Sequence, residues 1–225
     1  MQIDILTLFP EMFSGFLETS IIKRAREKKL ININLINFRD YSPLNNHQVD
    51  DTPYGGGAGM LLRPEPIFLC LDEINKDDAF VILLSPDGDT FNQNLAKNFS
   101  LNVKHLIIIC GHYEGFDERI KILADQIISI GDFVLTGGEV PAMAITDAIT
   151  RLIPGVINNE SLESESFSNN MLDYPNYTKP QEYRGLKVPD ILLSGNHQKI
   201  KEYRDIQRLN VTKNKRPDLL RDKND

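Results

Sequence analysis

The sequence lacks both phosphate-binding fingerprints of the common nucleotide folds: neither a GxGxxG run nor a Walker A pattern occurs in its 225 residues. That excludes an ordinary Rossmann or P-loop site, and the missing Lys-Ser/Thr of a phosphate loop argues against phosphoryl transfer. No apolar run approaches the ~20 residues of a membrane span. Asp4 and Pro10-Glu11 break any leader-like reading of the start, so a cytoplasmic protein without a membrane partner is expected. Cysteine is scarce: Cys70 and Cys110 lie far apart inside apolar stretches, which favours buried free thiols over a disulfide or metal pair. His47, His105, His112 and His197 show no ligand spacing, so no metal site is expected. There are no internal repeats.

What is present is a globular composition, 41% hydrophobic and 25% charged, over a length that suits one large domain and a small one. A net charge of −7 argues against a nucleic-acid partner until its distribution is considered. Residues 1–178 carry 13 Lys+Arg against 25 Asp+Glu, whereas residues 179–225 carry 12 against 7. A basic tail on an acidic body suits a polyanion contact; a solvated surface helix is the alternative.

Along the chain, strand and helix patterns alternate. Residues 2–9 read as a strand, 11–29 as a helix with Phe13, Phe16, Leu17, Ile21 and Ile22 at helical spacing, and 31–38 as a second strand. Then come a helix over 64–74, a strand over 80–84, a helix capped by Thr90 and running to Phe99, and a strand over 105–110. A short helix over 117–123, a strand over 126–130 and a helix over 140–153 complete this set. Short continuous apolar runs are those of buried parallel strands, so the fold class is α/β with a mostly parallel sheet covered on both faces. Residues 158–170, rich in Asn, Ser and Glu without periodicity, read as an inter-domain linker, mobile unless bound. A helix over 196–209, with Ile200, Tyr203, Ile206 and Leu209 on one side, and a short one from Arg216 make a small helical C-terminal domain with a basic face. The divisions are 1–155, a linker over 156–170, and 171–225.

The most informative stretch is Ile130–Met143, a strand end that turns through Gly131, Gly137 and Gly138 into a helix. Glycine permits positive φ and close approach to a flat ligand, while Glu139 and Pro141 suit a first helical turn. Ser85–Gly88 and Gly111–Gly115 end two upstream strands in the same manner. In an open α/β sheet the ligand sits outside the carboxyl ends of the strands, so these three loops are predicted to converge on one small-molecule pocket. The run Tyr54–Met60, with glycine at 55, 56, 57 and 59, is either a flexible hinge or a backbone surface for a base or phosphate.

Five stretches in this order, Leu8–Phe13, Tyr54–Met60, Cys110–Arg119, Ile130–Glu139 and Leu193–His197, resemble the bacterial tRNA (guanine-N1)-methyltransferases of the knotted SPOUT-type superfamily. The resemblance runs over nearly the whole chain. It implies methyl transfer from S-adenosyl-L-methionine to N1 of guanosine 37 in tRNA, 3′ of the anticodon. It also implies a deep trefoil knot in the large domain and a homodimer with active sites at the subunit interface. By position, Gly111, Ile130, Gly131, Asp132, Phe133, Val134 and Leu135 would line the donor pocket, with Ser85, Pro86, Glu114, Gly137 and Gly138 at its edges. Gly55, Gly56, Gly57 and Gly59 would face the target guanine, and Lys199 and Arg208 of the basic tail would meet tRNA. Arg151 and Glu165, reaching into the partner subunit's pocket, would carry the chemistry, with Asp173 a second acidic candidate. The family usually has Asp at the position of Glu165, proline at that of Ala58 and arginine at that of His112. A need for Mg²⁺ in turnover is not readable from the sequence.

The chemistry defines the roles. Guanine N1 holds a proton in the neutral base, so a carboxylate within hydrogen-bond reach must remove it, contributing roughly 10²–10⁴ in rate. Charge then builds on O6, where a guanidinium stabilises it. Glu165 and Arg151 suit these roles; a solvated linker Glu and an Arg capping its helix are the alternatives. A non-catalytic RNA-binding module using the basic tail and glycine loop is the competing function.

Overall fold

Five of the strands lie side by side in one sheet. The computed structural model describes residues 1–74, 78–158, 162 and 165–220, and the chain divides into two units, Met1–Ile157 and Asn158–Asp225. The first unit runs β1 (Gln2–Thr7), α1 (Ser14–Leu17), α2 (Ser20–Glu27), β2 (Asn32–Asn37), β3 (Asp50–Asp51), β4 (Leu61–Leu62), α3 (Pro64–Glu73) and β5 (Ala79–Thr90). It continues with α4 (Gln93–Asn102), β6 (His105–Ile109), β7 (Gln126–Ser129) and α5 (Glu139–Thr150). The sheet order is β2-β1-β6-β5-β7 with every pairing parallel, and β3 and β4 form a separate two-residue antiparallel pair.

Parallel pairing explains the unbroken apolar runs, because successive side chains enter different cores. Ile3, Ile5, Ile82, Leu84, Leu106 and Ile108 pack with residues of α1, α2, α4 and α5. Leu6, Val81, Leu83, Ile107 and Ile109 pack on the other face with Phe38, Leu62 and Ile67, Cys70 and Leu71 of α3. At the amino ends of the strands, buried Asp4 bonds His105 Nε2 at 2.8 Å and accepts from Asn34 Nδ2 at 2.8 Å. The carboxyl ends are left to the loops.

Three local expectations are corrected. The helix expected over 11–29 is a 3₁₀ turn (Pro10–Phe13) followed by α1 and α2. The break comes where Thr19 is extended, its hydroxyl donating to Gly15 O at 2.7 Å, and Ser20 has φ +52°. The strand expected to end at Leu84 rejoins the sheet after a register shift between Leu84 and Asp89 and runs to Thr90. Thr90 therefore belongs to β5, and Asn92 caps α4 by accepting from the backbone N–H of Asn94 and Leu95. The short helix expected over 117–123 is present as a 3₁₀ helix, Glu118–Leu123, capped by Asp117.

The second unit holds a hairpin, β8 (Glu182–Tyr183) and β9 (Leu186–Lys187), then α6 (Asp190–Leu193) and α7 (His197–Lys215). The hairpin turns on Arg184 and Gly185, both at positive φ, which is the backbone of a two-residue strand connection. The expected apolar side of α7 is not its buried one: Ile206 is 58% exposed, whereas Arg208 and Thr212 are buried. Thr212 Oγ1 accepts from Leu172 N at 2.9 Å, which holds the helix beyond Leu209. The linker expectation falls partly on residues 159–161, 163 and 164, outside the described residues.

Candidate active site

Because β5, β6 and β7 run parallel, the loops that follow them leave the sheet at one edge. There they wall a cavity formed by Leu84–Pro86, Gly111–Phe116, Ile128–Gly131, Phe133–Gly138 and Pro141. The residues expected at the donor line it, except Asp132, which is exposed. His112, Tyr113, Thr136 and Pro141, in the loops expected to converge here, also line it, as do Phe116 and Ser129, which were not expected. Phe116 and Ser129 directly adjoin the expected stretches, so continuity with them was the available signal.

The walls are backbone where two segments touch. A Cβ on Gly138 would stand 2.7 Å from Cys110 Cα and 2.8 Å from Gly111 N, and Gly138 N donates to Gly111 O at 2.8 Å. Gly138 has an ordinary φ of −81°, so it is required for close approach and not for positive φ. A Cβ on Gly137 would strike Glu139 Oε2 and His112 Nδ1. Gly131 alone of the three takes positive φ, +147°, with the Phe133 ring over it. Ser129 Oγ donates to Gly131 O at 3.1 Å and fixes the entry to this turn.

Charge at the cavity is sparse and held. Glu139, in the first turn of α5, is buried and accepts from Thr7 Oγ1 at 2.8 Å. Beside it burial, and then Glu139, push the Cys110 thiol well above its usual range. The His112 ring lies 4.7 Å from Phe9 and 4.9 Å from Tyr113, and its buried Nδ1 has no hydrogen-bond partner among the described residues. Asp87, bonded to Lys121 at 2.7 Å and to Ser85, is held below the usual carboxylate range first by the Lys121 bond.

The glycine loop adjoins this cavity through the 112–116 segment. Gly55, Gly56, Gly57 and Gly59 all have positive φ, and Tyr54 beside them is fully exposed. Glu114 N donates to Met60 O at 3.0 Å and Leu62 N to Gly115 O at 2.9 Å, while a Cβ on Gly59 would strike the Glu114 side chain. Glu114 is thus common to the cavity wall and the loop. Below them Arg63 joins Asp51 at 3.0 Å and Glu65 at 2.9 Å, and Arg119 joins Asp117 at 2.7 Å.

A family described as "tRNA (Guanine-1)-methyltransferase TrmD" matches residues 1–222. The chain belongs to this tRNA (guanine-1)-methyltransferase family. It is 56% identical over 223 residues to the tRNA (guanine-N(1)-)-methyltransferase of Staphylococcus epidermidis, covering 98% of this chain and 91% of that protein. The same-named protein of Carboxydothermus hydrogenoformans is 56% identical, with 98% and 88% covered. That of Mycoplasma capricolum subsp. capricolum is 50% identical, with 98% and 92% covered.

In this member of the methyltransferase family, the remaining expected site residues are not among those that line the cavity. Arg151 is the C-cap of α5, a 12-residue helix whose other end is the Gly138 turn; at ~1.5 Å per residue the two are about 20 Å apart along the axis. Glu165, Asp173, Lys199 and Arg208 belong to the second unit. Asp173 accepts from Tyr174 N at 2.7 Å and Asn176 Nδ2 at 2.8 Å. Lys199 is exposed on the first turn of α7. Arg208, expected on the basic face, is 8% exposed and donates to the carbonyls of Leu172 at 3.3 Å and Glu165 at 3.5 Å. Its position is that of a structural cation tying α7 to the 165–172 segment. No helix among the described residues is long and apolar enough to cross a membrane.

Proposed function

We propose that the chain transfers the methyl group of S-adenosyl-L-methionine to N1 of guanosine 37 in tRNA, as a homodimer. The observation that carries this reading is the backbone-walled cavity at the carboxyl ends of β5, β6 and β7, in a chain of the tRNA (guanine-1)-methyltransferase family. Where a Cβ at Gly137 or Gly138 would collide with its neighbours, the wall offers a surface of peptide groups. That suits the flat, hydrogen-bonding body of an adenosine-bearing donor. Gly111, Ile130, Gly131, Phe133, Val134 and Leu135 hold the donor in this reading, with Ser85, Pro86, Glu114, Gly137 and Gly138 at the edges. The donor supplies an electrophilic methyl group on a sulfonium centre.

The protein's part is to free the N1 lone pair. Glu165 takes the N1 proton, with Asp173 the second carboxylate of the same unit, and Arg151 offsets the charge that develops on O6. The 55–59 loop receives the guanine, and exposed Lys199 and Lys201 meet tRNA phosphates.

Three observations support a second subunit at each site. Arg151 stands at the far end of α5 from its own chain's cavity. Phe133, Val134, Leu135 and Tyr113, all wall residues, are 54%, 86%, 40% and 43% exposed, an apolar rim of the kind a partner covers. The cavity of one chain, about 200 Å³, is also smaller than the ~300–1,000 Å³ of sites that enclose small ligands. The close approach of Gly137 and Gly138 to the backbone of Cys110 and Gly111 suits the trefoil knot of this reading, within a methyltransferase domain of 1–155 joined by residues 156–170 to a tRNA-binding domain of 171–225.

Purified protein, tritiated S-adenosyl-L-methionine and bulk tRNA, with mapping of the labelled nucleotide, test the proposal. Label at N1 of guanosine 37 is expected. Tight tRNA binding without transfer would instead favour the non-catalytic RNA-binding module.

A further inference from the structure

Positive charge in the first unit is concentrated in one place. Five of the 13 Lys and Arg residues of 1–157, namely Lys23, Arg24, Arg26, Lys28 and Lys29, fall within seven positions that hold a single acid, Glu27. Elsewhere in this unit Arg63, Arg119 and Lys121 are each bound to carboxylates. On α2, Arg26 turns inward to donate to Leu17 O at 2.9 Å, and Lys23 meets Glu27 at 3.9 Å. Lys28 and Lys29 are exposed and have no carboxylate partner among the described residues. Arg24 and Lys28 border a hollow of about 250 Å³ with Ile21, Ala25 and the 155–157 segment. That segment follows Arg151 by four residues, so the basic ridge and Arg151 share one end of α5.

We infer that the ridge of Arg24, Lys28 and Lys29 is a second phosphate contact for tRNA, presented by the subunit that lends Arg151. The inference rests on the function proposed above and adds a surface to it. Cationic groups that are exposed and spaced along a helix end suit a repeating, hydrated phosphate backbone; a small anion needs buried, converging donors. They lie on an otherwise acidic body, so they decide which face a polyanion approaches. Lys28 and Lys29 also follow the carbonyl end of α2, where cations are favourable. A role confined to that would alter thermal stability and leave RNA binding untouched.

The test is a full-length Lys28→Glu/Lys29→Glu variant, with a Lys28→Gln/Lys29→Gln variant as the milder change. tRNA binding is measured by fluorescence anisotropy across a salt series, and donor binding by calorimetry. The Glu variant is expected to bind tRNA at least tenfold more weakly at low salt. The slope of log K against log salt should fall by roughly 0.7–0.9 for each phosphate no longer neutralised, with donor affinity unchanged and the Gln variant intermediate. An unchanged slope in a folded variant overturns the inference. So does loss of binding to phosphatidylserine vesicles with tRNA binding intact, which would assign the ridge to lipid. Failure of the wild type to methylate tRNA refutes the proposed function; a methylating enzyme whose variants keep the wild-type slope refutes the ridge alone. In mixed dimers of Glu165→Gln and Gly131→Val protomers, the reversal should raise the KM for tRNA when carried by the Gly131→Val protomer, which lends Arg151 and Glu165 to the one working site. The opposite dependence overturns the shared-subunit placement.

Discussion

Gly138 has no room for a methyl group, since a Cβ there would meet the backbone of Cys110 and Gly111. Gly138→Ala is expected to cost about 1–3 kcal/mol of stability through overpacking, read as a lower melting midpoint. Gly131 differs in kind: with φ +147° and the Phe133 ring against it, the constraint is on conformation as well as space. Gly131→Val is expected to weaken S-adenosyl-L-methionine binding more than ~tenfold, about 1.4 kcal/mol. Calorimetry that finds full affinity in a folded variant would remove this turn from the donor site. Glu165→Gln keeps size and loses the ability to take a proton, so single-turnover transfer should fall roughly 10²–10⁴-fold, about 3–5.5 kcal/mol of barrier. Glu165→Asp should keep most activity. Near-wild-type turnover by the Gln variant would move the base to Asp173.

Among the elements, the central strands were legible because burial on both faces leaves an unbroken apolar run, as in Leu106–Ile109. The carboxyl-end loops were legible with them, since glycine and proline end such runs. Breaks decided by a single side chain were not. Thr19 and Ser20 continue a helical pattern by spacing, yet the Thr19 hydroxyl takes a backbone carbonyl and the helix restarts. Arg208 reads as a surface cation from its charge, and its burial depends on carbonyls of the distant 165–172 segment. A prediction follows for α7. Reversal of exposed Lys199 and Lys201 to Glu should flatten the salt dependence of tRNA binding by roughly 0.7–0.9 for each phosphate that these side chains neutralise. Arg208→Met should lower the thermal stability of the second unit instead, by about 1–3 kcal/mol for carbonyls left without their donor.

The supports of the glycine loop give an element-scale pH dependence. Hydrogen bonds from Arg63 and Arg119 hold the Glu65 and Asp117 carboxyls below their usual values. Groups with lowered folded pKa contribute stability above the ordinary carboxylate range, roughly pH 4, and lose it as pH falls through the lowered values. These groups are partly exposed, so the contribution is small. The melting midpoints of wild type and Arg63→Met should differ at neutral pH and converge in acid; a gap that persists in acid would assign the loss to packing.

For the whole molecule, the decisive experiment is complementation. Glu165→Gln and Gly131→Val protomers, each inactive alone, should regain activity when mixed, because one composite site in each heterodimer has both parts intact. No recovery in verified heterodimers would place both residues in one subunit's site. This scale was least legible from residues alone: periodicity reports what each segment buries and says nothing of how a chain threads itself or pairs with a copy.

Helix α5 carries the Gly138 turn at one end and Arg151 at the other, with twelve residues between them in a single rod. In the proposed dimer it acts as a gauge between two reaction centres, and what it must conserve is length. One inserted residue would advance Arg151 by ~1.5 Å and swing it by about 100°, away from the base it serves, while the turn at the opposite end stayed in place. The outward side chains of this helix are free to drift over evolutionary time, but its residue count is not.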